Sequence, residues 1–492
     1  MSANSSGAYL GAKYVPVCFR TLPDCSCTFV VADRLQRFPV GNRSASGALF
    51  GALMSGSCLG QSGWRKSTIV VAGIAVAAVT AKAFLLFVAV PSLSETSPST
   101  YQIERFPDWY DLIAMNLVEG NGYRFFPETT ETMLRTPGWV LVLAGIFSVF
   151  GHSLAATKAF NLVLSFATAC LVFVLGKRVT KSSRLGSIAA AIAFLHPAIL
   201  VADSRGGVES FFALSIVVFM LLIYRALETE TTSDYLIAGI AFGGVLLIRS
   251  TPALFPPFLF LYLIALKPSF VRVRHAAIRV GALVLASGAM LSPWIVRNYA
   301  LSGDFIPTMS VGGMAAYQGL YIAAHRHTGR EQYVLDKEAA AEMGSIAQQM
   351  RLKFKPGFFP QFYTISDEVK FYSHLGDLVK MRYVEEPSLL FDVIGFNSRG
   401  FWVQGRTAKA TTLNMILVLP FLALAIWGAY AGWRKSLMVG PILLFVGTFF
   451  AAHVLILGQA RYHVPLIPLL AVLACIPLRS VIRDVPDRIE QG

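Results

Sequence analysis

Charge is scarce in this chain. Of its 492 residues, 14% are Asp, Glu, Lys or Arg, whereas a soluble globular domain carries about 25%. The motifs that hold nucleotides, RNA or zinc are also missing: there is no Walker loop, no RNA-binding motif and no zinc spacing. Cysteine is rare, at six residues. Cys18, Cys25, Cys27 and Cys58 lie in the N-terminal tail, and Cys170 and Cys475 lie in apolar runs. Cys25-x-Cys27 fits no common zinc or redox spacing, so no disulfide framework is read here. No internal repeat is visible, which weighs against transporter folds built from repeats. No charged start is followed by an apolar core and a small-residue cleavage site, so no signal peptide is read.

What the chain has in quantity is apolar sequence. It is 55% hydrophobic, in repeated runs of about 20 residues, which makes it an α-helical polytopic membrane protein. Its formal net charge of +14 then speaks for membrane orientation and anionic lipid rather than nucleic acid.

Residues 1–66 differ from the rest. They are rich in Ser, Gly and Ala and have no lasting periodicity, and they read as a disordered tail or as a start placed too early, with Met54 as the first residue. Ten spans follow: Ser67–Val90, Ala155–Gly176, Leu185–Val201, Val208–Tyr224, Tyr235–Ile248, Pro252–Leu266, Ala277–Ile295, Thr411–Tyr430, Leu437–Leu457 and Val464–Leu478. Pro137–Phe150 is too short to span and reads as a juxtamembrane helix. With that choice, basic clusters such as Lys177-Arg178 and Arg272, Arg274 and Arg279 all fall on the cytoplasmic side. Lys82 either snorkels or faces the bundle. The division is a core over 67–296 with a first outer loop at 91–155, an outer cap at 297–409, last helices at 410–480 and a short tail at 481–492. The cap is expected to contain helices at Glu331–Arg351 and Ser366–Tyr383.

This threading gathers carboxylates and arginines on the outer side from distant parts of the chain. The first loop holds Asp108, Asp111 and Arg135. Short turns hold Asp203, Arg205, Glu209, Arg249, Arg461 and Tyr462, and the cap begins at Arg297. Carboxylates at a membrane edge are costly and point to function. Arginine forks bind phosphate bidentately and stabilise the charge that develops on it. A carboxylate takes the proton of an acceptor hydroxyl. The mixture suits transfer of a sugar from a lipid phosphate.

Five blocks carry a family resemblance. They are Asp108-Trp109-Tyr110 through Gly120-Asn121-Gly122-Tyr123; Arg135-Thr136-Pro137-Gly138-Trp139 through Phe150-Gly151; Ser292-Pro293-Trp294 through Arg297-Asn298-Tyr299, then Phe305-Ile306-Pro307; Glu386-Pro387 through Phe401-Trp402; and Ala460-Arg461-Tyr462 with Pro465 and Pro468. In this order they resemble the GT-C fold membrane glycosyltransferases, nearest the protein mannosyltransferase-like and lipid A aminoarabinose transferase-like group, over about Ser67 to Leu478.

The resemblance implies a polyprenyl-phosphate-sugar donor, a glycan, lipid or protein acceptor, and an outward-facing site in the inner or plasma membrane, with no nucleic-acid partner. It makes the first-loop Asp the catalytic base. In relatives that acid often stands further before the tyrosine than Asp108 stands before Tyr110, and Asp111 follows it. Both are carried forward, Asp108 first. Arg461 is the leading phosphate ligand, because it stands alone on the outer side against the positive-inside trend. Arg135 is read as a phosphate ligand or a helix cap, Arg249 as a phosphate ligand or a snorkelling end, and Glu209 as a sugar-hydroxyl partner or a loop boundary. Tyr110, Arg297 and Tyr462 complete the substrate-binding set. His196 and His453 are read as packed residues. Asp203 could help hold a metal, as in the oligosaccharyltransferases of the wider fold, but the nearer relatives need none, so no metal or other cofactor is expected. The expected reaction inverts the anomeric centre. The alternatives are a lipid-sugar flippase or secondary transporter, and a polysaccharide polymerase or ligase.

Overall fold

Apolar runs of this length form helices because a bilayer leaves no other way to satisfy the backbone, and a computed structural model of the chain is helical nearly throughout. It describes residues 61–89, 107–266, 270–357, 359–435 and 438–480. The expectations for the N-terminal tail, including Met54, and for 481–492 lie outside the described residues. Ile69–Gly492 groups as one unit.

Helix α1 (Gln61–Phe84) continues as a π-turn over Leu85–Ala89. The first loop then contributes α2 (Tyr110–Val118) and α3 (Pro137–Phe150), the latter with the bounds expected from sequence. The bundle follows as α4 (Leu154–Thr180), α5 (Ser183–Leu195), α6 (Pro197–Ser204), α7 (Glu209–Thr229), α8 (Thr232–Ile248), α9 (Phe255–Leu266) and α10 (Phe270–Ser302). The cap is α11 (Gly312–Ala324), α12 (Gln332–Gln349), a two-stranded ladder, α13 (Ile365–Glu385) and α14 (Ser388–Trp402). The chain closes with α15 (Ala408–Arg434), α16 (Gly440–Ile456) and α17 (Ile467–Cys475). The ladder pairs Phe354 with Phe362 and Lys355 with Gln361, antiparallel.

Every expected span overlaps helical structure, but among the described residues only five helices are long and apolar enough to cross a membrane, or six with one bent pair. That pair corrects one expectation. Leu185–Val201 is two helices, α5 and α6, bent by 41° at His196. Pro197 has no N–H to continue the ladder, and His196 Nδ1 caps the new start by accepting from the Ala198 N–H at 3.2 Å. The cap also holds two helices, α11 and α14, that the sequence did not announce.

Aromatic rings fill the bundle centre. Phe219 meets Phe242 at 4.9 Å and Phe255 at 5.3 Å, and Phe255 meets Phe445 at 5.6 Å. All of α17 is buried, whereas α15 exposes Leu413, Ile416 and Ile426. An outward apolar face of that kind suits lipid. Lys82 faces the bundle: its Nζ stands 2.8 Å from buried Asp203 and donates to the Phe194 carbonyl at 3.0 Å. Ser165 and Ser210 also donate to Asp203, so a charge that could have held a metal is taken up by Lys82.

Helix polarity sorts the charges by end. α7 runs about 30 Å at 1.5 Å per residue, from Glu209 to Thr229, and α8 returns to Arg249. Arg178–Glu228 and Arg279–Glu230 ion pairs, at 2.5 and 2.9 Å, tie the far end together. The basic clusters of the sequence therefore lie at the end opposite Glu209 and Arg249.

Candidate active site

Asp108 and Trp109 both hold left-handed backbone, with φ of 65° and 58°. Such conformations cost about 1–2 kcal/mol each for residues with a Cβ, and they persist where surroundings over-determine them. Here the Trp109 ring packs on Phe125, Phe126 and the cap residue Phe359, at 6.1, 6.1 and 5.1 Å. The Asp108 carbonyl accepts from Arg135 Nε at 3.1 Å. The turn delivers the Asp108 side chain to Arg461. Nη1 donates to Oδ2 and Nη2 to Oδ1, both at 2.9 Å, in a bidentate fork. Burial raises the Asp108 carboxyl's proton affinity, but Arg461, then Arg135 and Arg249, overcome it and hold the group well below the usual carboxylate range.

Arg461 sits on a tight 3-10 turn, Ala460–Leu466, and Gln459 accepts from its Nε at 3.0 Å. The Tyr462 ring lies beside two guanidinium groups, Arg461 at 5.3 Å and Arg249 at 5.4 Å. Arg249, 8% exposed, donates to Glu209 at 3.4 Å, and its buried Nε finds no hydrogen-bond partner among the described residues. Arg135 packs over Tyr110 and Phe359 at 5.6 and 5.5 Å. The charges of Arg135, Arg249 and Glu209 all bear on Tyr110. Asp108, Tyr110, Arg135, Glu209, Arg249, Arg461 and Tyr462 thus converge from five separate stretches of chain.

Two expected members stand apart. Asp111 turns to His152, at 3.1 Å, and burial pushes its carboxyl up against the pull of His152. Arg297 braces the first loop: it donates to the Thr132 carbonyl at 3.1 Å and to Glu131 at 3.3 Å, and stacks on Tyr123 and Trp294 at 4.9 and 4.6 Å. Two arginines join the site without having been assigned a role in it. Burial and the charges of Arg406 and Arg461 lower the proton affinity of Arg205, with Glu209 opposing. The signal that singled out Arg461, an arginine at the outer end against the positive-inside trend, applies equally to Arg205 and Arg406. Around Asp108 and Glu209 there are accordingly four guanidinium groups, Arg135, Arg205, Arg249 and Arg461, and Arg406 acts on Arg205. Among the described residues no three His, Cys, Asp or Glu side chains gather as a metal site.

The R-x-P-G block has a physical role. Pro137 opens α3, Thr136 donates to the Ile248 carbonyl at 2.7 Å, and Gly138 lies so close to the end of α8 that an added Cβ would stand 2.8 Å from the Leu247 carbonyl oxygen. This docking sets Arg135 beside Arg249. Gly138→Ala is expected to destabilise the fold by about 1–3 kcal/mol, as overpacking does, and to cost activity by separating the two arginines. A thermal melt beside an activity assay checks it; wild-type values in both would show that the close approach is not needed. Tyr123 anchors the same stretch, donating to the Arg135 carbonyl at 3.0 Å. Gly120 and Gly122 before it hold φ of 80° and 89°, which only glycine adopts readily.

The cap closes on the loop. The Phe362 carbonyl accepts from the Thr130 N–H at 3.0 Å. Buried Glu368 accepts from the Met133 N–H at 3.0 Å and from Ser310 at 3.2 Å, and burial pushes its carboxyl up to about 7.

Residues 135–296, about a third of the chain, match the family model described as dolichyl-phosphate-mannose-protein mannosyltransferase. The match takes in Arg135, Glu209 and Arg249, and stops short of Asp108, Arg297 and Arg461. No curated protein matches the chain. Over that third of its length the chain is similar to the mannosyltransferase-like group of GT-C membrane glycosyltransferases, and its helical membrane architecture is consistent with that fold.

Proposed function

We propose that this glycosyltransferase moves a sugar from a polyprenyl-phosphate donor to an acceptor hydroxyl, at the outer face of the inner or plasma membrane, with inversion and without a metal. The observation that carries the reading is the bidentate Asp108–Arg461 pair set among Arg135, Arg205 and Arg249. One carboxylate positioned as a base, amid more cations than carboxylates, suits a reaction that takes a proton and releases a phosphate.

In this reading the donor phosphate exchanges with Asp108 on Arg461, since both present paired oxygens to the same fork. The buried Nε of Arg249 and the guanidinium of Arg135 hold the remaining phosphate oxygens. Once Arg461 leaves it, Asp108 loses the charge that most suppresses its proton affinity and becomes a better base. It takes the acceptor hydroxyl proton; the acceptor oxygen bonds to the anomeric carbon from the side opposite the phosphate. The anomeric C–O bond breaks, and its electron pair leaves on the phosphate. Glu209 orients sugar hydroxyls, and the acceptor (a glycan, lipid or protein) lies under the cap. Asp111, paired with His152, takes no part.

The test is to give the full chain, in lipid with a membrane extract, a panel of polyprenyl-phosphate sugars, and to follow release of polyprenyl phosphate by mass spectrometry. Release coupled to a glycosylated acceptor supports the reading. Accumulation of unmodified donor across vesicles would indicate a flippase, and transfer of long glycans a polymerase or ligase. The pH dependence separates the two aspartates. kcat/KM reports the free enzyme, in which Asp108 is held low and Asp111 is raised. With Asp108 as base, the rate on the acid side should persist to below about pH 4, the ordinary Asp value. An acid limb above that value, lost in Asp111→Asn, would move the assignment to Asp111.

A further inference from the structure

A second polar site lies at the far end of the bundle. A cavity of about 270 Å³ opens there between the ends of α7, α8, α9 and α10. The arginine site is at the other end of the same helices: Glu209 begins α7 and Arg249 follows α8, whereas the cavity is lined by Glu230, beyond the end of α7, and by Tyr235, at the start of α8. The helices separate the two sites by about 30 Å, at 1.5 Å rise per residue.

The lining is cationic on one wall. Arg272, His275 and Arg279 of α10 all face the cavity. Their spacing, three and then four residues, puts them on one face over two turns. One carboxylate, Glu230, faces them, and it pairs with Arg279 at 2.9 Å. Tyr235, 1% exposed, and Tyr262 add phenol groups to the wall. The rest is apolar, including Leu263, Val271 and Met438. Beside the cavity α10 also exposes Ile278 and Leu285, 48% and 74% exposed, on a face about 100–140° round the helix from the two arginines. Cations in a recess with an apolar helix face beside it match an anionic amphiphile: the head between the arginines, the chains against the neighbouring face of α10.

We propose that this cavity binds the phosphate headgroup of an anionic phospholipid from the leaflet facing away from the Asp108 site. Arg272 and Arg279 supply charge-assisted hydrogen bonds to the phosphate oxygens, and the tyrosine hydroxyls and His275 border the headgroup. Glu230 limits the affinity, because it competes with the phosphate for Arg279. Orientation by basic residues alone would require neither a recess nor three basic residues turned into it. The site is independent of the transfer reaction.

The full chain would be reconstituted in nanodiscs of phosphatidylcholine with graded phosphatidylglycerol, and lipid retention counted by native mass spectrometry. Arg272→Ala with Arg279→Ala should lower retention of phosphatidylglycerol roughly tenfold, the loss of about one charge-assisted contact. Arg184→Ala, a basic residue at the same end outside the cavity, should match the wild type. Glu230→Gln should raise retention, a gain that misfolding cannot imitate and that decides the matter if the double variant does not fold. Equal retention in the wild type and a folded double variant, or no rise in Glu230→Gln, would overturn the proposal. So would inorganic phosphate alone displacing phosphatidylglycerol at millimolar concentration, which would make the site one for the free anion.

Discussion

Asp108→Asn should reduce sugar transfer by about 10²–10⁴-fold, the usual contribution of a positioned general base, while the protein inserts and melts as the wild type does. The amide keeps the shape of the carboxylate and one acceptor oxygen for Arg461. The backbone turn that presents it is held by Trp109 and by the Asp108 carbonyl on Arg135, which the substitution does not touch. What is lost is the charge and the capacity to take a proton. Release of polyprenyl phosphate, measured beside a thermal melt, checks this. Full activity in Asp108→Asn would remove Asp108 from the mechanism. An inactive variant that also melts early would show that the Asp108–Arg461 pair holds the fold rather than the chemistry.

Arg461→Lys should cost about 10²-fold or more in kcat, within the range for removing one preorganised electrostatic donor. Lysine keeps the positive charge but not the planar fork that meets Asp108 through two nitrogens. A stability role would be served nearly as well by lysine, because a partly exposed ion pair contributes about 0–1 kcal/mol. A large kinetic loss with a small change in melting temperature therefore separates binding of phosphate from packing. The acid limb of kcat/KM should also move upward in Arg461→Ala, since the removed charge is the largest of those holding the Asp108 carboxyl low and burial, which raises it, remains. An unmoved limb would mean that the titrating base is another group.

The five blocks read from sequence turn out to be one interlocked structure. Tyr123 of the first donates to the carbonyl of Arg135 in the second. Trp294 and Arg297 of the third pack on Tyr123. The Phe401 carbonyl of the fourth accepts from Nδ1 of His463 at 3.1 Å, in the turn that carries Arg461. Arg461 of the fifth returns to Asp108 of the first. Spacing along the chain could show these blocks in order but not their contacts, because each contact joins residues far apart in sequence. The same limit explains Arg205 and Arg406. Each is an isolated arginine beside a glycine, and only folding brings Arg205 within the influence of both Arg461 and Arg406.

By itself the sequence determined the helical membrane class, the helices of the apolar runs, the length of Pro137–Phe150 and the gathering of the basic clusters at one end. Those follow from local hydropathy and from charge beside apolar runs, which the chain states residue by residue. The tertiary structure alone decided which aspartate meets an arginine. Asp108 and Asp111 are three residues apart in one acidic loop, and composition cannot rank them. Two left-handed residues turn the first toward Arg461, while the start of α2 turns the second toward His152. Arginines, Arg461 first, hold Asp108 low against its burial, whereas burial raises Asp111 against the pull of His152; the two partners come from 353 and 41 residues away.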